Sequence, residues 1–519
     1  MTHCINNVKQ CNGRRLRRPA NIKQRKINVK QCRGRRPRRP AKYKIIKELI
    51  SNNVEADASV RLIINNVRQC RSTRYKNQGN AILATRKKKR NIIKRRKAMQ
   101  SIENLNVKEK MYIEKMKNGL TVIIVPKENT NKKYAIIGTH FGSIDNEFII
   151  PGEEKNTKIP DGVAHFLEHK MFEQENGKNS LEVLSNLGVD ANAYTTNDYT
   201  AYLIEGTNNF EEAFKELMNY VQHPYFTDEN VKKEQGIIAQ EINMYQDDPG
   251  TQVYMGALKC MYNNNPINID IAGSVESISN INKEILYNCY NTFYNPSNMC
   301  LVLCGNFEPE STIKMVEENL IEKEQQGEIK RIYPEEKPEI KEKEAENTMN
   351  ISQPIFVIGI KENADKVASA KKILTVEILL EILLGKSSEL YKKLYENKDL
   401  IILPDFEYEF SQEYSHIIIS GQAKDPKKIL SEIQKQIEKY ENEGINEEEF
   451  ERIKKKMYGE YVMQYNDVDI IARNVLADYF KGIQPFEFIE EFKTLNLKYA
   501  NKIFKEVIKK ENMVISIVK

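Results

Sequence analysis

The sequence predicts an α+β protein of two related domains, each an antiparallel-rich sheet with helices packed on one side. Three observations carry that expectation. From Met111 the chain turns into alternating and periodic apolar segments separated by Gly, Pro and Asn, the mark of mixed strands and helices. A charged stretch from Glu322 to Glu346, with two prolines and few apolar residues, has the composition of an interdomain linker. Beyond it the order of elements begins again. The expected division is a basic repetitive arm at 1–110, a first domain at 111–321, a linker at 322–349 and a second domain at 350–519.

In the first domain Leu120–Val125 and Tyr134–Phe141 alternate or run apolar as strands do. Ile159–Phe172 has helical spacing and is expected to open at Pro160 and Asp161. A short helix around Leu181–Leu187 follows, then a strand pair at Ala191–Tyr194 and Thr200–Glu205. Helices are expected over Asn209–Gln222 and Asp228–Tyr245, and a strand at Met299–Leu303 leads into a helix ending near Ile321. The second domain repeats the alternation. Ile355–Ile360 is a strand, Ala368–Leu384 a helix, Phe406–Phe410 and His416–Ser420 strands, and Lys428–Phe504 mostly helix before a final strand at Met513–Val518.

Charge is distributed very unevenly. The first hundred residues hold 31 Lys and Arg against only Glu48, Glu55 and Asp57, whereas residues 101–519 hold 49 basic and 70 acidic groups. A cationic arm therefore precedes an anionic body. Within the arm the segments Asn6–Cys11, Ile27–Cys32 and Asn65–Cys70 resemble one another, at unequal spacings and without apolar positions that could stack, which excludes a solenoid and points to disorder. Blocks such as Arg86–Arg90 would neutralise phosphates, so nucleic acid is a partner only if the arm is retained, and Tyr43 and Tyr75 offer little for base stacking. The arm is otherwise expected to be dispensable solvated charge, with Met99 or Met111 as alternative starts, or an organellar presequence. No apolar run reaches 18 residues, so no membrane span is expected and the expected location is cytoplasmic. The eight cysteines form no C-x-x-C pair, as suits reduced thiols in such a compartment.

Chemistry concentrates at one motif. The chain has only six histidines, yet two stand four residues apart in His165-Phe-Leu-Glu-His169, within an expected helix. Positions i and i+4 share a helix face, so a single cation could reach both imidazoles at about 2.0–2.1 Å. His-x-x-Glu-His is the signature of inverted zincins. Glu234 and Glu241 lie seven residues apart on the next long helix and so face one way, offering a third ligand and a carboxylate to orient the metal shell. Zn²⁺ held by two His and one Glu, one per chain with a water in the open position, is the expected centre. Such a metal lowers the pKa of its water to about 7, and Glu168 is placed to take that proton and pass it to a leaving amine. The resulting reaction is peptide hydrolysis.

These residues, together with Gly142–Asp145, Asn192–Thr195, Glu234 through Asp248-Pro249 and Tyr294–Met299, resemble the pitrilysin/insulinase family of zinc metallopeptidases, in particular its short two-domain bacterial members. The similarity runs from about Tyr112 to the C-terminus. It implies that His165, His169 and Glu241 bind zinc, that Glu168 is the general base, and that Glu234 supports the metal shell and acts with Glu168 in catalysis. It also implies two domains forming half of a clam-like peptidase chamber, with Asn192, Ala193 and Tyr194 on an edge strand that pairs with an extended, unfolded peptide. The anionic body would favour basic peptides.

One departure from that pattern stands out. Active relatives carry an Arg and, seven residues later, a Tyr in the second domain to hold substrate and polarise its carbonyl, whereas the matching positions here are Tyr395 and Ile402. Some family members work as pairs in which a zinc-less relative supplies Arg and Tyr. The expectation is therefore the zinc-bearing subunit of a homodimer or heterodimer. A scaffold or assembly subunit of the same fold and a mitochondrial processing-type peptidase are the alternatives.

Overall fold

The computed structural model describes residues 99–519, which belong to one compact unit. The repeats, basic blocks and first four cysteines of the arm lie outside the described residues. In chain order the first half contains β1 (Gln100–Asn104), β2 (Glu109–Lys115), β3 (Thr121–Pro126), β4 (Lys133–Thr139), β5 (Glu147–Ile149), β6 (Asn156–Lys158), α1 (Val163–Lys170), α2 (Ser180–Asn186), β7 (Asp190–Thr195), β8 (Thr200–Gly206), α3 (Phe210–Gln222), α4 (Asp228–Gln246), α5 (Pro249–Met261), α6 (Val275–Ser279), α7 (Lys283–Phe293), β9 (Met299–Gly305) and α8 (Pro309–Asn319). Short strands β10 (Lys330–Arg331) and β11 (Glu344–Asn347) follow. The second half contains β12 (Ile355–Glu362), α9 (Ala370–Leu384), α10 (Glu389–Glu396), β13 (Leu400–Phe410), β14 (Ser415–Ala423), α11 (Pro426–Glu443), α12 (Glu447–Gln464), α13 (Val468–Lys481), α14 (Glu487–Glu491), α15 (Leu497–Val507) and β15 (Met513–Val518).

Seven strands pair in the order β1-β2-β3-β9-β4-β8-β7, antiparallel except where β3 lies parallel to β9. Five pair as β11-β15-β12-β14-β13, with β11 parallel to β15. Strands β10, β5 and β6 make a small third sheet. The central strands of both large sheets are buried on both faces, which is why their sequences run almost continuously apolar instead of alternating. On one face of the seven-stranded sheet Val122, Ile124, Ile137, Tyr202 and Leu301 pack with α1 and α3, the helices expected there. The opposite face, through Ile123, Val125, Ile136 and Val302, is covered by Val468, Ile471, Ala472 and Leu476 of α13, a helix from the second half. The five-stranded sheet is built the same way. Phe356, Ile358, Ile417 and Ile515 pack on α9, while Val357, Ile418 and Val514 pack on Val253, Ala257 and Met261 of α5, a helix from the first half. Each half thus lends one helix to the other's sheet, in addition to the helices on its own side.

Gly138 of β4 permits the α13 contact. A Cβ there would lie 2.9 Å from Phe480 and 3.0 Å from Leu476.

Three expected boundaries move. Residues 100–110 belong to the folded body, because β1 and β2 form a hairpin at the sheet edge, with Ile102 opposite Met111. The polar sequence of β1 carries no alternation of its own; its pairing comes from β2 and from Asn104, whose amide donates to Glu490 at 2.6 Å. The 322–349 linker is woven into the fold through main-chain pairing, which hydropathy does not report: β10 joins β5 and β11 joins β15. The Glu336 carboxylate within it accepts from the amides of Asn263, Asn264 and Asn265 and from buried Lys361. Helix α1 starts at Val163 instead of Pro160, because Gly162 has φ 93°, a left-handed conformation outside the helix. Among the described residues no helix is long and apolar enough to cross a membrane.

Candidate metal centre

Helix α1 has two faces. Val163, Ala164, Phe166 and Leu167 are buried in the core, and their helical spacing leaves His165, Glu168 and His169 together on the remaining side. Helix α4 lies across from it, started by a capping box in which Thr227 Oγ1 accepts from Asn230 N at 3.1 Å and Asn230 Oδ1 accepts from Thr227 N at 2.9 Å. That start fixes the phase of the helix, with Val231, Ile238 and Ile242 in the core and the Glu234 and Glu241 carboxylates beside α1.

The two helices bring His165, His169 and Glu241 together, so that one ligand atom from each lies within 4.8 Å of the others. His165 Nε2 is 3.8 Å from Glu241 Oε1, His169 Nε2 is 3.5 Å from Glu241 Oε2, and the imidazole centroids are 4.5 Å apart. Glu234 Oε1 lies 3.1 Å from His169 Nδ1. A proton on Nδ1, shared with Glu234, leaves the Nε2 lone pair of His169 aimed toward Glu241, the tautomer a metal ligand requires. Glu234 is in turn anchored by Lys170, whose buried ammonium sits 3.6 Å from Glu234 Oε2 and 2.6 Å from Glu173.

Electrostatics separate the roles of these groups. Burial, aided by neighbouring His169, pushes the His165 pKa down to about 3, so its imidazole is neutral. Burial also works to lower His169, but the hydrogen bond to Glu234 and the carboxylates of Glu168 and Glu241 outweigh it and raise the pKa. Desolvation tends to raise Glu234, yet His169 and Lys170 hold it below the usual carboxylate range. Burial raises Glu168 despite a 2.7 Å hydrogen bond from Thr195 Oγ1, making it a better proton acceptor than an exposed glutamate.

The ligand set fits Zn²⁺. Two imidazoles and one carboxylate converge, and the first imidazole is neutral.

Asn192, Ala193 and Tyr194 lie on β7, the free edge of the seven-stranded sheet, paired only with β8. Ala193 faces the α1 side, and Tyr194 faces the α13 side, where the Arg473 guanidinium stands 5.1 Å over its ring. Thr195, the last residue of the same strand, touches Glu168. The strand context of Thr195 was legible, but its partner was not, because the contact depends on how β7 packs beside α1. Tyr245, one turn beyond Glu241, is a further neighbour, whose hydroxyl pKa burial and the Glu241 carboxylate raise, and spacing four residues along α4 could have flagged it. Tyr395 and Ile402 are exposed, on α10 and β13, and neither carries a cation.

Fold and site together are two sheet-and-helix halves, the first of which sets a His-x-x-Glu-His helix against a helix bearing two glutamates. The family model described as "Insulinase (Peptidase family M16)" matches residues 149–274, which include His165, Glu168, His169, Glu234 and Glu241, and "Peptidase M16 inactive domain" matches residues 280–457. The uncharacterized zinc protease YmfH of Bacillus subtilis (strain 168) is 38% identical over 424 residues, covering 80% of this chain and 98% of its own length. The crystal structure of an M16-like peptidase from Alicyclobacillus acidocaldarius superposes with a TM-score of 0.75 at 33% identity, covering 82% of this chain and 99% of that one. Mitochondrial-processing peptidase subunit beta of Caenorhabditis elegans is 27% identical over 197 residues, 37% of this chain and 41% of its own length. The chain belongs to the insulinase family, peptidase family M16, and is of its two-domain bacterial type.

Proposed function

We propose that this chain is a zinc-dependent endopeptidase that cleaves unfolded peptides, and that it is the zinc-bearing subunit of a homo- or heteromeric pair. The observation that carries the reading is the convergence of His165, His169 and Glu241 with Glu234 fixing the His169 tautomer. His165, His169 and Glu241 would hold Zn²⁺, which supplies Lewis acidity toward a water and a carbonyl oxygen. Glu168, raised by burial and steered by Thr195, takes the proton of the attacking water and returns it to the leaving amine. Glu234 keeps His169 in its ligating tautomer. The outer edge of β7 at Asn192, Ala193 and Tyr194, where Ala193 N donates to Asn192 Oδ1 at 2.9 Å and would exchange that bond for one to the peptide, receives the substrate as an added strand beside α1, which accounts for little demand on its sequence.

Tyr395 and Ile402, where active relatives place Arg and Tyr, support a partner that completes the site and also favour the second reading, a scaffold of the same fold. The test is cleavage of a basic, unstructured fluorogenic peptide by the purified chain, with and without chelator. Glu168→Gln should keep zinc and lower turnover by about 100-fold or more. A zinc-loaded wild-type chain that turns over only when a zinc-less relative is added supports the pair; one inert in every combination supports the scaffold.

A further inference from the structure

The turn after β7 is held by the second half of the chain. Asp198, between β7 and β8, accepts hydrogen bonds from Ser411 Oγ at 2.7 Å and Tyr414 OH at 2.8 Å. Both donors are buried in the turn that joins β13 to β14. On its other side the Asp198 turn is seated on Gly142–Asp145: Ser143 N donates to Thr196 O at 3.0 Å, Ile144 N to Asn197 O at 3.2 Å, and Ser143 Oγ to Asn197 Oδ1 at 2.9 Å. The fit is so close that a Cβ on Gly142 would lie 2.1 Å from Asn197 O. Asp145 is tied down by Gly142 N at 2.9 Å, Arg331 at 3.0 Å and Tyr333 OH at 2.6 Å. Within the turn Thr196 Oγ1 accepts from the amides of Asp198 at 3.2 Å and Tyr199 at 3.0 Å. Immediately before it, Thr195 Oγ1 donates to Glu168 Oε2 at 2.7 Å.

Two hydroxyls donating to one carboxylate form charge-assisted bonds, stronger and more directional than neutral ones. They fix the turn against the second half, while the Gly142 contact removes the space into which it could relax. Thr195 inherits that position because it is the first residue outside the turn.

We propose that Asp198 is a positioning residue which, clamped by Ser411 and Tyr414, holds Thr195 so that its hydroxyl aims the Glu168 carboxylate. The inference rests on the reading of Glu168 as the base. It goes beyond that reading by assigning the second half a part in orienting the first half's catalytic group.

The test compares the full-length wild type with Ser411→Ala/Tyr414→Phe, Thr195→Val, and all three substitutions combined. It reads zinc affinity, kcat and KM for an unstructured peptide, and amide hydrogen exchange of residues 192–199 by mass spectrometry. Loss of the two hydroxyls should lower kcat by about 10–100-fold, the scale of a misplaced catalytic group, with zinc affinity unchanged and KM moved less than kcat. Exchange at 192–199 should rise while that of α1 does not. The combined variant should lose no more kcat than Thr195→Val, since both changes act through one contact. If the double variant fails to fold, Ser411→Ala alone should show the same pattern at smaller size. Unchanged exchange at 192–199, additive losses in kcat, or losses tracking zinc release would overturn the proposal. Should the zinc-loaded wild type cleave nothing, the peptidase reading fails for the lone chain, and the exchange comparison still decides whether Asp198 holds the turn.

Discussion

Glu234 touches no substrate in this account, and its value lies in one proton. By accepting the Nδ1 hydrogen of His169, with Oε1 3.1 Å from Nδ1, it leaves Nε2 free to ligate. Replacing Glu234 by Ala should weaken zinc affinity by about 10–100-fold, measured by competition with a chromophoric chelator, the usual cost of losing a partner that orients a ligand. Glu336 makes a second prediction at this scale. Burial works against its charge, but the amides of Asn263, Asn264 and Asn265 and the Lys361 ammonium prevail and pull its pKa down to about 2. Because the folded pKa lies below the ordinary 4.5, this group's stabilisation is complete above about pH 4.5 and disappears as pH falls toward 2. Glu336→Gln should therefore cost about 1–2 kcal/mol at pH 7 in denaturant unfolding, since solvent screens this partly exposed group, and little near pH 2. The clustering of the candidate ligands was legible because their spacing follows helical arithmetic, four residues along α1 and seven along α4. Thr195, Asp198, Ser411 and Tyr414 were not, since their partners are set by packing between elements far apart in the chain.

At the scale of elements, apolar runs and periodicity identified the central strands, the metal helices and α9, where local pattern and burial agree. Strands β1, β10 and β11 escaped because each owes its conformation to a neighbour's main-chain groups. Helix α5 starts at Pro249, and Asp248 caps it by accepting from Thr251 N at 2.7 Å. The covering of the seven-stranded sheet by α13 rests on side chains such as Leu476, which is fully buried against β4. Leu476→Ala should destabilise the protein by about 2–5 kcal/mol in denaturant melts, the range for a buried leucine left as a cavity. If the halves unfold together, one cooperative transition should move as a whole; two separate transitions would show that the exchanged helices do not couple them.

For the whole molecule, the proposed peptidase needs a metal centre on one half and an edge strand beside it; the candidate ligands and β7 both belong to the first half, and the second packs on it through α13 and the Asp198 contact. The recurrence of element order was readable from sequence, and so was the linker's charge. The mutual loan of α5 and α13 was not, because each helix buries its apolar face on a sheet from which the chain sequence gives no sign of proximity. A basic unstructured peptide should bind more weakly as salt rises if the anionic body attracts it, and an affinity independent of salt would remove the chain's charge from the account. The most direct measurement is the zinc content of the purified full-length chain by elemental analysis, beside Glu241→Gln. One zinc per wild-type chain, strongly reduced in the variant, is the predicted result; a well-folded wild-type chain that takes up no zinc, or a variant that retains it in full, would contradict the assignment.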